Sequence, residues 1–426
     1  MDHAETLRTL GLSVFSIMLI YAQSSDPAEL LERVRANVVA SLPAAGYGCT
    51  ATIDRSYFKR RDEPTTSRSC EQISMDRKRG RDNLELDKTD RLRLQVILTA
   101  EREIYSWSGV GSFSRDVDQI TQTGDTGSGE LATHLSIVFG NPRIRFRLLD
   151  QNARNLEFGF RMPVEASSYF VKAGDQWRVA GYDGSLTIDA ASLALRRITI
   201  QSEQLAQGTS LCEATTTMEY DPQPRETAVL LPSVARTRTL SRDTRETEWI
   251  TRLSECRTTR EQVPVSSPPK RLTATSEVRF KAALTGSIDT STAAAGDVIQ
   301  ARLVEPMLTP SSQLLAPAGT ILTGRIMRME HHLDKKGVII PGPNGFRGRF
   351  FLIWLDFDRI EVNGVVSSIR ARLICGETLS PQYPCLVADV ADPKGDRAFM
   401  FPSESPKFVV PAGYTSTWLT VKSHSE

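Results

Sequence analysis

The sequence predicts a mainly β, α+β chain: an antiparallel sheet with two helices packed on one side, then an all-β domain. Three observations carry that expectation. Apolar residues alternate with arginines over many short runs, the period of half-buried strands; helical spacing recurs in two places; and V-P-V-S-S-P-P at 263–269 divides the chain. Proline removes ladder hydrogen bonds, so 263–272 reads as an extended linker between domains at 26–262 and 273–426. A chain of 426 residues suits two or three domains.

The chain opens with Arg8 and an uncharged apolar run, Leu10 to Ala22, read as a signal peptide over 1–22. The run is short for a membrane span, and no later segment offers one. The mature protein is therefore expected to be exported, to the periplasm or beyond. Asp26, with Pro27 and Glu29 after it, marks a helix start, and Leu30, Leu31, Val34, Val38 and Leu42 form its apolar face. Pro43 and Gly46 stop it.

The period then changes to two. Leu92, Leu94, Val96 and Leu98 alternate with Arg91, Arg93 and Gln95, and Ile144, Phe146 and Leu148 alternate with Arg143, Arg145 and Arg147. Between these strands Leu131, Leu135, Val138 and Phe139 share one face of a second helix, 129–139. Trp177 and Val179 flank Arg178, Asp183-Gly184 reads as a hairpin turn, and Leu193, Leu195, Ile198 and Ile200 mark another strand. Leu92, Leu94, Val96, Phe146, Leu148, Phe158, Phe160, Trp177 and Val179 should fall on one apolar face, because a one-residue slip would bury the arginines.

After the linker, Val278, Phe280, Ala282 and Leu284 alternate, and strands follow at 298–304, 321–327 and 350–362. The phrase P-A-G occurs at 317–319 and 411–413, each time just before a strand, as a tight turn would. Asn363-Gly364 is a strong hairpin signal. The six cysteines suit disulfides in an oxidising compartment, and proximity pairs Cys49 with Cys70, Cys212 with Cys256, and Cys375 with Cys385. Other connectivities stay open.

Lysine and arginine total 52 against 51 acidic residues, a net charge of +1. That balance excludes a strongly basic nucleic-acid binder and an acidic-tail protein. Catalytic signatures and cofactor motifs are absent. Ser267 to Lys270 spells S-x-x-K, but its prolines sit in the linker; the glycines at 109–111 and 124–129 lack the strand-to-helix setting of a nucleotide loop. His331-His332 reads as a solvated loop end, since neighbours on a strand face opposite ways and cannot share a metal. Asp356 and Asp358 share a face that reads as a polar stripe, and His134 as a packed or surface histidine. Lys335, Lys336, Arg347 and Arg349 flank P-G-P-N-G at 341–345, a charged hairpin tip. No enzyme, metal or cofactor is expected.

D-R-L-R-L-Q-V (90–96), I-Y-S-W-S-G (104–109), G-Y-D-G-S (181–185) and L-A-L-R-R-I (193–198) together resemble LolA-like lipoprotein-carrier half-barrel proteins, over roughly 26–262. L-L-A-P-A-G-T (314–320) and its surroundings, 278–330, resemble the TrbI-like conjugation and secretion β-barrel. The first resemblance implies a curved antiparallel half-barrel with two covering helices and a lipid or lipoprotein acyl chain held on the nine apolar positions above; the second implies a small all-β barrel or sandwich and contacts with envelope proteins. Two functions stay open, an apolar-ligand binder and a structural envelope protein. They differ in whether the concave face is open or plugged by the helices.

Overall fold

The computed structural model describes residues 26–43, 46–61, 68–81, 83–99, 102–110, 112–114, 117, 120, 131–167, 170–173, 176–203, 211–221, 229–259, 270–271, 277–333, 348–377, 387–388, 397–403 and 405–421. The signal-like start, the linker core and the 341–345 tip lie outside them. No helix among the described residues is long and apolar enough to cross a membrane.

The first part of the chain runs α1 (Pro27–Ala40), β1 (Tyr47–Arg60), α2 (Cys70–Lys78), β2 (Leu84–Leu98), β3 (Glu103–Trp107), α3 (Thr133–Gly140), β4 (Arg145–Gln151) and β5 (Asn155–Met162). It continues with β6 (Phe170–Ala173), β7 (Gln176–Val179), β8 (Tyr182–Asp189), β9 (Leu195–Glu203), β10 (Leu211–Glu219), β11 (Val234–Ser241) and β12 (Glu246–Thr258). Ten of these strands form one antiparallel sheet in the order β3-β2-β1-β12-β11-β10-β9-β8-β5-β4. No register among the described residues joins β3 to β4, so the sheet is open. α1 starts where expected: Asp26 Oδ1 accepts the Ala28 N–H at 3.1 Å and Pro27 occupies the first turn.

Two local expectations are corrected here. Asp183-Gly184 is not a turn but the start of β8, paired with Arg161 and Phe160 of β5. Gly184 sits there because the Phe160 ring lies against its Cα, and a Cβ would collide with that ring and with the Thr199 carbonyl. The disulfides join Cys49 to Cys256 and Cys70 to Cys212, not sequence neighbours. The sheet decides this: β1 pairs with both β2 and β12, which brings the ends of β1 and β12 together across 207 residues. Cys375 is disulfide-bonded too, and Cys385 lies outside the described residues.

The second part begins at β13 (Lys270–Arg271), β14 (Arg279–Leu284), β15 (Ile288–Asp289), β16 (Val298–Leu303), β17 (Met307–Leu308) and β18 (Leu314–Ala316). It goes on to β19 (Ile321–His332), β20 (Phe350–Val362), β21 (Val365–Ser368), β22 (Ala371–Gly376), β23 (Val387–Ala388), β24 (Ala398–Pro402), β25 (Val409–Val410) and β26 (Thr415–Thr420). Its sheet runs β22-β26-β14-β16-β19-β20, and the long β20 pairs β24 at one end and β21 at the other. No register among the described residues returns β22 to β20, so the expected barrel is not closed. The two P-A-G turns do the same job. Gly319 and Gly413, both at φ +83, donate to the carbonyls of Leu303 and Leu284 at 2.8 Å, tying each turn to a strand end. Asn363 and Gly364, at φ +51 and +76, make the hairpin from β20 to β21.

Buried apolar residues form two main clusters, one from Leu30 to Leu253 with Ala295 added, the other from Val278 to Trp418. A shared strand edge joins them. β2 pairs with β3 over Leu94–Leu98 only; farther back on the same strand, Asp90, Thr89 and Lys88 pair with Glu330, His331 and His332 of β19. Between these stretches the Arg93 N–H reaches the Ala295 carbonyl at 2.7 Å and the Ala295 N–H reaches the Arg91 carbonyl at 2.8 Å. Gly296, at φ +107, makes that approach feasible: a Cβ would meet the Arg93 carbonyl and the Trp107 ring.

Candidate functional site

The concave face of the ten-stranded sheet is where the sequence places an apolar ligand. Leu92, Leu94 and Val96 on β2 and Phe158 and Phe160 on β5 are indeed turned to one core, each at most 5% exposed. Phe146 and Leu148, on the edge strand β4, join it half-buried. Val179 departs from the expectation: β7 pairs with β6 in a separate two-stranded sheet, and Val179 is not part of this core. Trp177 shares that hairpin, and its side chain lies outside the described positions.

The face is covered. Leu30, Val34 and Val38 of α1 and Leu135, Val138 and Phe139 of α3 belong to the same buried cluster as the strand residues; Val34, Leu94, Val96, Leu135 and Val138 have no measurable exposure. Phe139 stacks on Phe146 at 6.1 Å and Phe146 meets Phe160 at 5.7 Å, carrying the packing from helix to sheet. α1 is also tied to α3, through Arg35 Nε to the Phe139 carbonyl at 2.7 Å. The cleft beside α2 has room for about one water, ≈ 10 Å³, and is lined by Ile73, Leu84 and Leu240 as well as Arg60, Asp76, Arg77 and Glu246. Its size does not suit an acyl chain.

α3 is fixed by a residue that the sequence reading missed. Its N-cap, Ala132, has no side chain to cap with. Glu103 of β3 does so instead, its Oε1 accepting the Leu131 and Ala132 N–H groups at 2.8 Å and Thr133 at 3.3 Å. The Tyr105 hydroxyl donates to the other oxygen at 2.8 Å, so a 4%-exposed carboxylate is satisfied. His134, on α3, is the packed histidine of the two alternatives. Burial pulls it down to about 4 against the pull of Glu103, and it is neutral at pH 7. The available signal for Glu103 was an acid opening the run E-I-Y-S-W, and nothing in one dimension links it to residue 131.

A second polar cluster lies at the seam. Arg55, 1% exposed, grips Asp90 through two hydrogen bonds of 2.6 and 2.8 Å, and the Tyr57 hydroxyl adds a third at 3.1 Å. Across the seam Glu330, 2% exposed, accepts from Lys88 at 2.8 Å, from Arg328 at 2.9 and 2.6 Å, and pairs with His332 at 2.8 Å. Burial pushes the Glu330 carboxyl up, but His332, Lys88 and Arg328 outweigh it and hold it far below the usual carboxylate range. His331 and His332 are therefore not a solvated loop end. They stack on Phe351 and Phe350 at 4.1 and 4.8 Å inside β19. Burial first, then Arg349 and His332, lowers His331 to about 4. Asp356 and Asp358 are both exposed on β20, on either side of the buried Phe357. Among the described residues no three His, Cys, Asp or Glu side chains gather as a metal ion needs. The seam neutralises buried charge and brings no nucleophile beside a base.

No protein-family model matches the chain, and no curated protein matches it. A solved structure of a LolA superfamily protein from Nitrosomonas europaea is similar over 54% of this chain and 94% of that one, with 9% identity and a TM-score of 0.26. A likeness that loose leaves the architecture to be read from this chain's own strands. The expected kinship of the second part to TrbI-like barrels finds no support.

Proposed function

We propose that this is a non-enzymatic, exported cell-envelope protein that acts as an interaction scaffold, with the concave face of its large sheet serving as a core. The observation that carries the reading is the filled face: Leu94, Val96, Val34, Leu135 and Val138 leave no room for a ligand where one would sit. Displacing α1 would expose its apolar stripe and the strand residues beneath it, at about 1.5–3 kcal/mol for each large side chain. Export is supported by the signal-like start and by the two disulfides, which belong to an oxidising compartment.

A second reading keeps the apolar ligand, lodged near the rim by Phe146, Leu148 and Phe160; the half-burial of Phe146 and Leu148 favours it. Titration of the full chain with a fluorescent fatty acid separates the two. The scaffold reading expects no saturable binding above a control protein. Saturable binding that is lost in Phe160→Asp, with the circular dichroism spectrum unchanged, overturns it in favour of the ligand.

A further inference from the structure

The strand that ends the large sheet has a face and an edge that the core does not use. β4 pairs with β5 on one side, and among the described residues no strand pairs with the other. Along this edge the side chains alternate: Phe146 and Leu148 point half-buried toward the core, while Arg145 and Arg147 are exposed on the convex face. Arg143 is exposed just before the strand, and none of these three arginines meets a carboxylate among the described residues. On the next strand Arg161 reaches Asp183 at 3.6 Å, with both side chains mostly in solvent, so that pair leaves the surface basic.

We infer that the β4 edge is a docking site for an extended acidic segment of another protein, which adds to the sheet as an eleventh strand. An open edge offers unpaired N–H and C=O groups that a strand satisfies directly. The alternation then sets the sequence the strand must have. Apolar residues would lie beside Phe146 and Leu148 on one face, and Asp or Glu beside Arg145 and Arg147 on the other. A second copy of β4 fits poorly, because antiparallel self-pairing sets arginine against arginine, and like charges directly opposite one another repel. An anionic membrane surface could meet the arginines but not the strand edge or the half-buried apolar pair behind it. A bulge between Leu148 and Asp150 bends the far end of β4 and confines regular pairing to 145–148.

This deepens the interaction reading by naming the class of partner. The two are measured separately: acyl-probe binding would remove the scaffold reading without touching the edge, and a failed peptide titration would remove the edge alone. The experiment is fluorescence anisotropy of the full chain with a synthetic peptide of alternating valine and glutamate, together with hydrogen exchange of the β4 amides. Expected are saturable binding that weakens with salt, slowed exchange at 145–148 when peptide is added, and about tenfold weaker binding in Arg145→Glu/Arg147→Glu. Both positions are exposed, so that variant should keep the native circular dichroism spectrum. The proposal is overturned by equal binding of a valine–lysine peptide, by binding indifferent to the arginine reversal, or by outward-pointing amides of 145–148, those not bonded to β5, already slow in the free chain. Binding of phosphatidylglycerol vesicles that is lost in the same variant, with no peptide binding, overturns it in favour of a membrane surface.

Discussion

The two parts of the molecule bury an antiparallel sheet by different means. The first lays α1 and α3 on ten strands and ties β1 to β12 and α2 to β10 with disulfides. The second uses no helix among its described residues. It bends its strands over an aromatic cluster in which Trp418 meets Phe357 at 4.9 Å and Tyr414 meets Phe401 at 5.5 Å. The difference teaches that a wide open sheet needs a separate cover, whereas a narrower one can cover itself by curving. It also shows what the cover leaves out. The helices lie on the face of the first sheet, not on the free edge of β2, and there the second part supplies β19 and the Ala295 turn.

Breaking the disulfides should separate the two parts most sharply. Loops of 207 and 142 residues put each bridge near the top of the entropic range, about 5 kcal/mol, and less in sum because one loop lies inside the other. Denaturant unfolding with and without reductant should shift the first part's transition far more than any single substitution does. Non-reducing peptide mapping should recover Cys49 with Cys256 and Cys70 with Cys212; a Cys49–Cys70 peptide would refute the placing of β1 between β2 and β12.

The seam should give the second-largest effect. Glu330→Ala leaves the half-buried Lys88 and Arg328 without their carboxylate and should cost about 3 kcal/mol. If the shared edge of β2 couples the two cores, the variant's calorimetric transition should split into two. A single transition at lower temperature would show that the Ala295 turn suffices for coupling.

Acid should act on both regions through histidine. His134 on α3 and His331 at the seam are held neutral, each lowered from 6.5 to about 4, so the unfolded chain takes up these protons first. Stability is complete above about pH 6.5 and falls as the pH drops toward 4, by up to about 2 kcal/mol per histidine at pH 5. The loss of stability between pH 7 and pH 5 should shrink in His134→Gln and in His331→Gln, and the difference between these variants measures which region acid loosens first. Below that window Glu330, depressed in the fold, adds its own loss as it protonates.

The smallest effect belongs to the start of α1. Asp26→Ala removes the acceptor for Ala28 and should cost about 1 kcal/mol. Tryptophan fluorescence of the melt should show the first part shifted slightly and the second not at all.

Much of this was legible in one dimension, wherever a feature depends on neighbours in sequence. Asp26-Pro27 announces α1, Asn363-Gly364 announces its hairpin, and the two P-A-G phrases announce turns, because backbone angle and capping are local properties. The alternation of leucine and arginine on β2 set which side of the strand faces the core. It did not show that Arg91 and Arg93 meet Ser291 and Asp297, some 200 residues on. The wrong disulfide pairs fail for the same reason: proximity along the chain is a poor guide where β1 is flanked by β2 and β12.

By itself the sequence determined the mainly β class, the positions of several strands such as β2, β14, β16 and β20, and the inward set Leu92, Leu94, Val96, Phe158 and Phe160, since period-two burial is written residue by residue. Tertiary structure alone decided that α1 and α3 pack on this inward set, that Glu103 caps α3, that His331 and His332 sit in a seam, and that among the described residues no strand but β5 pairs with β4. Each of those depends on which distant strand or helix arrives at a given edge or face. Burial pattern states that a face must be covered, and long-range strand pairing chooses the cover.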